Sequence, residues 1–295
     1  MSSTRDQDLL ALLRTLGLTT IRDSVGEVAL KAARANLTHE AFLYELVRLE
    51  CEAREQRRHA RRLVESRLPR EKTFQTLDLR VFPATIRQQV ERLQTGRFVD
   101  QAMNVVAVGR PGAGKSHLLA SVGHALLAQG YTVLWSSTAH LMQRLLAAKR
   151  DLRLPQELAK LDRFSALILD DIGYVQHDQD EMEVLFTLLS ERYERKSVLL
   201  STNLVFSEWT RIFKHPMTTM AAVDRVVHHA VILDLMQVES YRAREATSAH
   251  RAEADSRPGD PPTTTPADPT TPHPAGKVDS AQLMAVRGPS LALPT

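Results

Sequence analysis

A single cysteine, Cys51, stands in a chain of 295 residues, so no intrachain disulfide can form, which suits a reducing compartment. No apolar run reaches bilayer-spanning length, and the opening Met-Ser-Ser-Thr-Arg-Asp-Gln-Asp carries no signal-peptide pattern. The expectation is a cytoplasmic protein that engages no membrane. No internal repeat is visible, and nothing before residue 66 reads as a strand. The charge excess is small, a formal +3 with a sequence pI near 9.1, which permits an anionic partner without requiring one. Apolar and charged fractions of 43% and 25% are those of a soluble globular chain. The length fits one large or two smaller domains.

What is present is organised around Gly109-Arg110-Pro111-Gly112-Ala113-Gly114-Lys115-Ser116, with His117 opening the next segment. This matches G-x-x-x-x-G-K-[ST], the phosphate-binding P-loop. Its setting supports the match: Asn104–Val108 is a short apolar, β-branched run, and a helical pattern follows to about Gln129. Strand, glycine loop and helix wrap backbone N–H groups around a β-phosphate at the helix N-terminus. Lys115 would reach the β- and γ-phosphates, and the Ser116 hydroxyl would bind Mg²⁺.

Upstream, three helices are expected over residues 1–66. Leu9, Leu10, Leu12, Leu13 and Leu16 mark the first, stopped by Gly17; Ile21, Val25, Val28 and Ala32 mark the second. Thr38 is a plausible N-cap for a longer third. Its far end carries Arg54, Arg57, Arg58, Arg61 and Arg62, whose spacing puts all five on one face. Two meanings stay open for that face: an ordinary solvated surface, or a contact for a phosphate backbone. No aromatic residue interleaves the arginines, so single-strand base stacking is not suggested. Residues 67–80 lack periodicity and contain Pro69, as a connector would; Pro83 then opens a helix that Gly96 ends.

From Asn104 to about Asp234, short apolar runs alternate with helical patterns. That alternation predicts an α/β fold with a five-stranded parallel sheet, its strands at Val105–Val108, Thr132–Trp135, Ala166–Leu169, Val198–Ser201 and Val231–Leu233. Ala139–Leu161 reads as one basic helical stretch, and Asp180–Glu194 as an amphipathic helix. The third strand ends in Asp170-Asp171, the Walker B arrangement: Asp170 would hold Mg²⁺ beside Ser116, and Asp171 would orient the attacking water. Asn203, at the C-terminal edge of the fourth strand, could bond the γ-phosphate or that water; alone, a turn-forming asparagine is an equal alternative. Arg225 and Arg242 could stabilise phosphoryl charge, but spacing alone does not separate either from a surface arginine.

Beyond residue 250 the composition shifts: nine of the fourteen prolines fall between Pro258 and Pro294. Such a segment buries too little apolar surface to fold, and it reads as a disordered tail. The divisions expected are thus 1–66, a connector over 67–80, an ATPase domain over 81–249, and the tail at 250–295. Two further features carry no chemistry by sequence alone. His228-His229 has no spaced cysteine or carboxylate companions in sequence, and Cys51 lies in a charged helix with no nearby base.

Taken together, Gly109–Ser116, Leu167–Asp171, Ser201-Thr202-Asn203, Ala222–Arg225 and Glu239–Arg242 resemble the AAA+ clade of bacterial initiators and helicase loaders. Within it the chain most resembles the IstB-like ATP-binding proteins, helper ATPases of insertion-sequence transposition, from the N-terminal helices to about Ala246. The resemblance implies that Asn203 is sensor I, Arg225 an arginine finger acting in trans, and Arg242 the sensor II arginine. It also implies that Arg144, Lys149, Arg150 and Arg153 line a DNA-binding surface, and that the N-terminal domain meets DNA or a protein. The function expected is an ATP- and Mg²⁺-dependent helper that forms a homo-oligomer in the presence of ATP, binds double-stranded DNA and directs a transposase encoded nearby. A replicative helicase loader is the alternative. A small-molecule kinase, which also uses a P-loop, is disfavoured by the paired acids and the basic helices.

Overall fold

The computed structural model describes residues 2–172, 179–211 and 216–241. The tail expected from residue 250 lies outside them.

Three helices lead: α1 (Ser2–Thr15), α2 (Thr19–Arg34) and α3 (His39–Ser66). Thr38 caps α3 as expected, its side chain accepting from the Ala41 N–H at 3.3 Å. Of the five leucines expected to mark the first helix, only Leu13 is buried, against Ile21 and Leu46; Leu12, and Leu16 just past α1, stay largely exposed. Leu18, at the N-cap of α2, has no side chain able to cap it. Glu50 does so from α3: its Oε2 accepts from the Thr20 and Ile21 N–H groups at 2.8 and 3.2 Å. Burial pushes the Glu50 carboxyl up, but Arg54 and those two N–H groups outweigh it and hold the group below its usual range.

The end of α3 does not swing free. It packs on the α/β part, where Leu68 joins a core against which Leu63 also packs. A Cβ placed on Gly123 would lie 2.8 Å from both Leu68 and Ile168, so only a glycine allows the connector to seat this closely. After residues 67–82 come α4 (Ala84–Gln94) and α5 (Arg97–Asp100), separated by Gly96 at φ +74°.

Then β1 (Asn104–Gly109), α6 (Lys115–Ala128), β2 (Val133–Ser137), α7 (Thr138–Arg150), α8 (Leu154–Asp162), β3 (Ala166–Ile172), α9 (Gln179–Arg192), β4 (Ser197–Thr202), α10 (Pro216–Val227) and β5 (Ala230–Leu235) follow. The five strands form one parallel sheet in the order β2-β3-β4-β1-β5. All five fall where the apolar runs place them. The central strands β1 and β4 are buried throughout, because helices cover both faces. Successive residues alternate between two cores: Val105 and Ala107 pack toward α4 and α6, Val106 and Val108 toward α7, α9 and α10.

One expectation is corrected. Ala139–Leu161 is two helices rather than one, broken where Leu152 takes a left-handed φ of +56°. Pro155 sits in the first turn of α8, a place where its missing N–H costs nothing. Behind this break, the buried Arg192 guanidinium ties α8 to the sheet, donating to the carbonyls of Leu161, Phe164 and Ser197 at 3.0–3.1 Å. Burial lowers its pKa to about 10, so it stays charged at neutral pH. No helix among the described residues is long and apolar enough to cross a membrane.

Candidate nucleotide site

The P-loop runs from the buried end of β1 into α6, turning through Gly112 at φ +82° and Gly114 at φ +86°. Both values favour glycine, and a Cβ on Gly112 would also collide with Ser240 Oγ. The residues that follow β5 close over this loop, the Tyr241 N–H donating to Gly112 O at 3.0 Å. Lys115 Nζ, largely buried, donates to Gly109 O at 2.8 Å and Arg110 O at 3.1 Å.

Walker A and Walker B meet directly. Ser116 Oγ donates to Asp170 Oδ1 at 2.7 Å, although 54 positions separate the residues. Ser201 Oγ, from β4, donates to the same oxygen at 2.5 Å and accepts from the Asp171 N–H at 2.7 Å. A break in the β3–β4 register between Leu169 and Ile172 makes this possible. With Asp171 at φ +67°, the irregularity re-aims the two adjacent acids. Thr138 Oγ1 secures the turn by donating to Asp170 O at 3.1 Å. Burial and then the charge of Asp170 push the Asp171 carboxyl above the usual aspartate range, with Lys115 pulling part of the way back. A hydroxyl and a carboxylate meeting beside a phosphate loop are hard oxygen donors, which fit Mg²⁺.

Ser201 was not singled out from sequence. A serine directly after the apolar run Val198–Leu200 was the available signal, and the fold buries it at 1% exposure. Asn203 stands just past β4, half-buried, with its side-chain oxygen buried and unpartnered among the described residues.

A cleft of about 440 Å³, large enough for a small ligand, opens beside the loop, walled by Gly114, Lys115 and His117 on one side. Val238 and Tyr241 supply another wall, and the connector supplies Leu77. His117 Nε2 lies 3.2 Å from Thr73 O and 3.1 Å from Thr76 Oγ1, holding the connector against α6.

The other expected site residues lie elsewhere. Arg225 is on α10, its guanidinium over the Phe186 ring at 4.7 Å and bonded to Ala221 O at 3.0 Å. No described hydrogen bond or ion pair links it to Ser116, Asp170 or Asp171. Arg242 lies outside the described residues. Along α3, Arg54 and Arg57 both reach Glu50 Oε1, at 2.8 and 3.3 Å. Arg54 also bonds Gly17 O and Arg57 bonds Thr19 Oγ1, so these two arginines are built into the N-terminal helices. Arg58 and Arg61 are exposed, and with Arg54 and Arg57 they line a concavity of about 370 Å³. Arg62 is half-buried, 3.6 Å from Glu55. Further along, Arg144 is taken by Glu157 at 2.6 Å and Lys149 by Asp180 and Glu183 at 3.1 and 2.9 Å. Arg150 and Arg153 remain exposed.

Residues 11–249 match the model of the IstB-like ATP binding protein family. The chain belongs to that family. A Sinorhizobium fredii protein named for ATP binding and for its insertion sequence is 42% identical over 241 residues, 81% of this chain and 80% of that one. The IS21 ATP-binding protein of Pseudomonas aeruginosa is 34% identical, covering 82% of this chain and 91% of its own length. Among solved structures, DnaI overlays with a TM-score of 0.48 at 19% identity, covering 57% of this chain and 94% of that chain. DnaA from Aquifex aeolicus overlays at 0.47 and 15%, covering 64% of this chain and 56% of that one. The fold is the α/β fold with a five-stranded parallel sheet expected from the sequence, and the family's description gives its nucleotide as ATP.

Proposed function

We propose that this IstB-like protein hydrolyses ATP with Mg²⁺ and uses the cycle to assemble on double-stranded DNA and direct a transposase. The observation that carries the proposal is the convergence of Ser116 and Ser201 on Asp170, with Asp171 turned out of the strand beside them. Gly109–His117 cradle the phosphates through backbone N–H groups, and Lys115 supplies positive charge to them. Ser116 and Asp170 would hold Mg²⁺, which would supply charge neutralisation for the phosphate oxygens. Asp171, its proton affinity raised, orients a water and accepts its proton; Asn203 uses its unpartnered amide oxygen at the same edge.

Among the described contacts Arg225 reaches none of Ser116, Asp170 and Asp171, which supports a role for it at the site of a neighbouring subunit. Arg242 is assigned as a second arginine at its own chain's site. Residues 1–66 form the DNA- or partner-binding part, 67–80 the linker and 81–249 the ATPase part. Of the basic residues, Arg58, Arg61, Arg150 and Arg153 are exposed and outside the Glu50 pairing that engages Arg54 and Arg57, and they are the foremost DNA contacts. Arg54, Arg57, Arg62, Arg144 and Lys149 add to the field around them.

Mass measurement of the protein alone, with ATP, and with ATP and duplex DNA tests the proposal. A larger species that needs both is expected; a mass unchanged by either overturns it. Preference for single-stranded DNA would instead favour the helicase-loader alternative.

A further inference from the structure

Glu194, His228 and His229 lie outside the nucleotide site and are not used by the reaction above. Each offers one ligand atom, and these atoms fall within 4.8 Å of one another. The histidines follow one another in the turn between α10 and β5, their ring centroids 4.2 Å apart. Glu194 comes from across the fold, just past α9, at φ +55°. The carboxylate that the His-His pair lacks in sequence is therefore supplied in space.

Tyr193 hydrogen-bonds Glu194, and the spacing of the three groups suits a metal ion. His229 Nε2 lies 3.5 Å from Glu194 Oε1. A charge-assisted N–H···O bond is shorter, at about 2.7–2.9 Å. Ligands bonded to zinc at about 2.0–2.2 Å stand roughly 3.3–3.6 Å apart in a tetrahedron, which matches. His228 Nδ1 is 2.9 Å from the Tyr193 hydroxyl, and with Nδ1 donating to it the other ring nitrogen carries the lone pair a metal needs. A ligating imidazole is generally oriented in this way through its other nitrogen. Two imidazoles with one carboxylate suit Zn²⁺ better than Mg²⁺, and water can fill the fourth position.

We propose that Glu194, His228 and His229 bind a zinc ion that ties the end of α10 to the end of α9. The His228 N–H also donates to Asp224 O at 2.8 Å, and Asn104 Nδ2 grips the carbonyls of Arg225 and Val226 at 3.3 and 3.1 Å. Zinc would thus stiffen the helical turn that carries Arg225. Zinc binding itself does not depend on Arg225 being a finger.

The test uses untagged full-length protein, stripped with chelator and kept in excess Mg²⁺, titrated calorimetrically with Zn²⁺. One zinc per chain is expected. Tyr193→Phe should weaken binding by about tenfold, and Glu194→Gln with His228→Ala and His229→Ala should abolish it. Lys115→Ala should leave it unchanged, which separates this site from the nucleotide site. All three substituted ligands are exposed, so the variants should fold, and circular dichroism checks this. No zinc uptake by the unaltered protein, or equal uptake by the triple variant, overturns the proposal. Zinc should also slow amide exchange over residues 224–230 in the unaltered protein alone; unchanged exchange would refute the tie between the helices.

Discussion

His117 Nε2 sits 3.2 Å from the carbonyl oxygen of Thr73, a residue 44 positions earlier in the connector. A carbonyl only accepts, so Nε2 carries the proton and donates it. The bond joins the first turn after the P-loop to the segment that leads back to the N-terminal helices. A change in the nucleotide cleft therefore has a short covalent and hydrogen-bonded route to α3.

His117→Ala is expected to loosen the connector and to weaken ATP affinity without removing the phosphate contacts. The histidine also sets a pH dependence. Burial lowers its pKa below the ordinary value of 6.5, with the Thr73 carbonyl opposing. The unfolded chain then binds the proton more readily than the folded one, so this contribution to stability is present above about pH 6.5 and is lost as pH falls below it. Melting curves of both proteins between pH 7.5 and 5 check this; the parent should lose more stability than the variant.

Substitutions around Asp170 should separate binding from turnover. Lys115→Ala should lose ATP binding and hydrolysis together. Asp171→Asn should still bind ATP but hydrolyse it at least about 10²-fold more slowly, the usual cost of losing a general base. Because the Asp171 carboxyl is raised, the acid limb of the parent's rate profile should fall at a higher pH than an ordinary aspartate would give. Ser201→Ala should lower the rate less, since Ser116 still holds Asp170. Nucleotide titration and steady-state rates distinguish the three.

Arg225→Ala should keep ATP affinity and lose turnover. Mixed with Asp171→Asn protein, it should recover part of the activity, because each variant supplies the group that the other lacks. Absence of any recovery at assembling concentrations would refute a finger acting between subunits.

The arginines of α3 should divide into two groups. Glu50→Ala removes the only cap on α2 found among the described contacts and should cost about 1–2 kcal/mol in a denaturant titration. Arg58→Glu with Arg61→Glu should leave stability nearly unchanged. Duplex-DNA binding by that variant should weaken, with a shallower dependence on salt. Equal affinity and equal slope would mark that face as solvated only.

The central fold was legible because its signals are local. Apolar runs such as Val105–Val108 and Leu167–Leu169, separated by helical patterns, can hardly pack as anything but buried parallel strands. The P-loop was legible for the same reason, since its glycines answer to backbone geometry within eight residues. The single helix expected over Ala139–Leu161 failed because apolar periodicity continues across Leu152, and only the local backbone records the break. Likewise, the five arginines of α3 share a face by helical geometry, yet periodicity does not show that Glu50 is buried beneath two of them.

The sequence by itself therefore determined a strand–loop–helix that binds phosphate, an acid pair at the end of a parallel strand, and the parallel sheet that carries both. These follow from spacing and residue type. The tertiary structure alone decided that Ser201 would complete Asp170, that His117 would hold the connector, and that Glu194 would meet His228 and His229. Each joins residues on different elements, 31, 44 and 34 or more positions apart, and such distances close only when strands pair and helices pack.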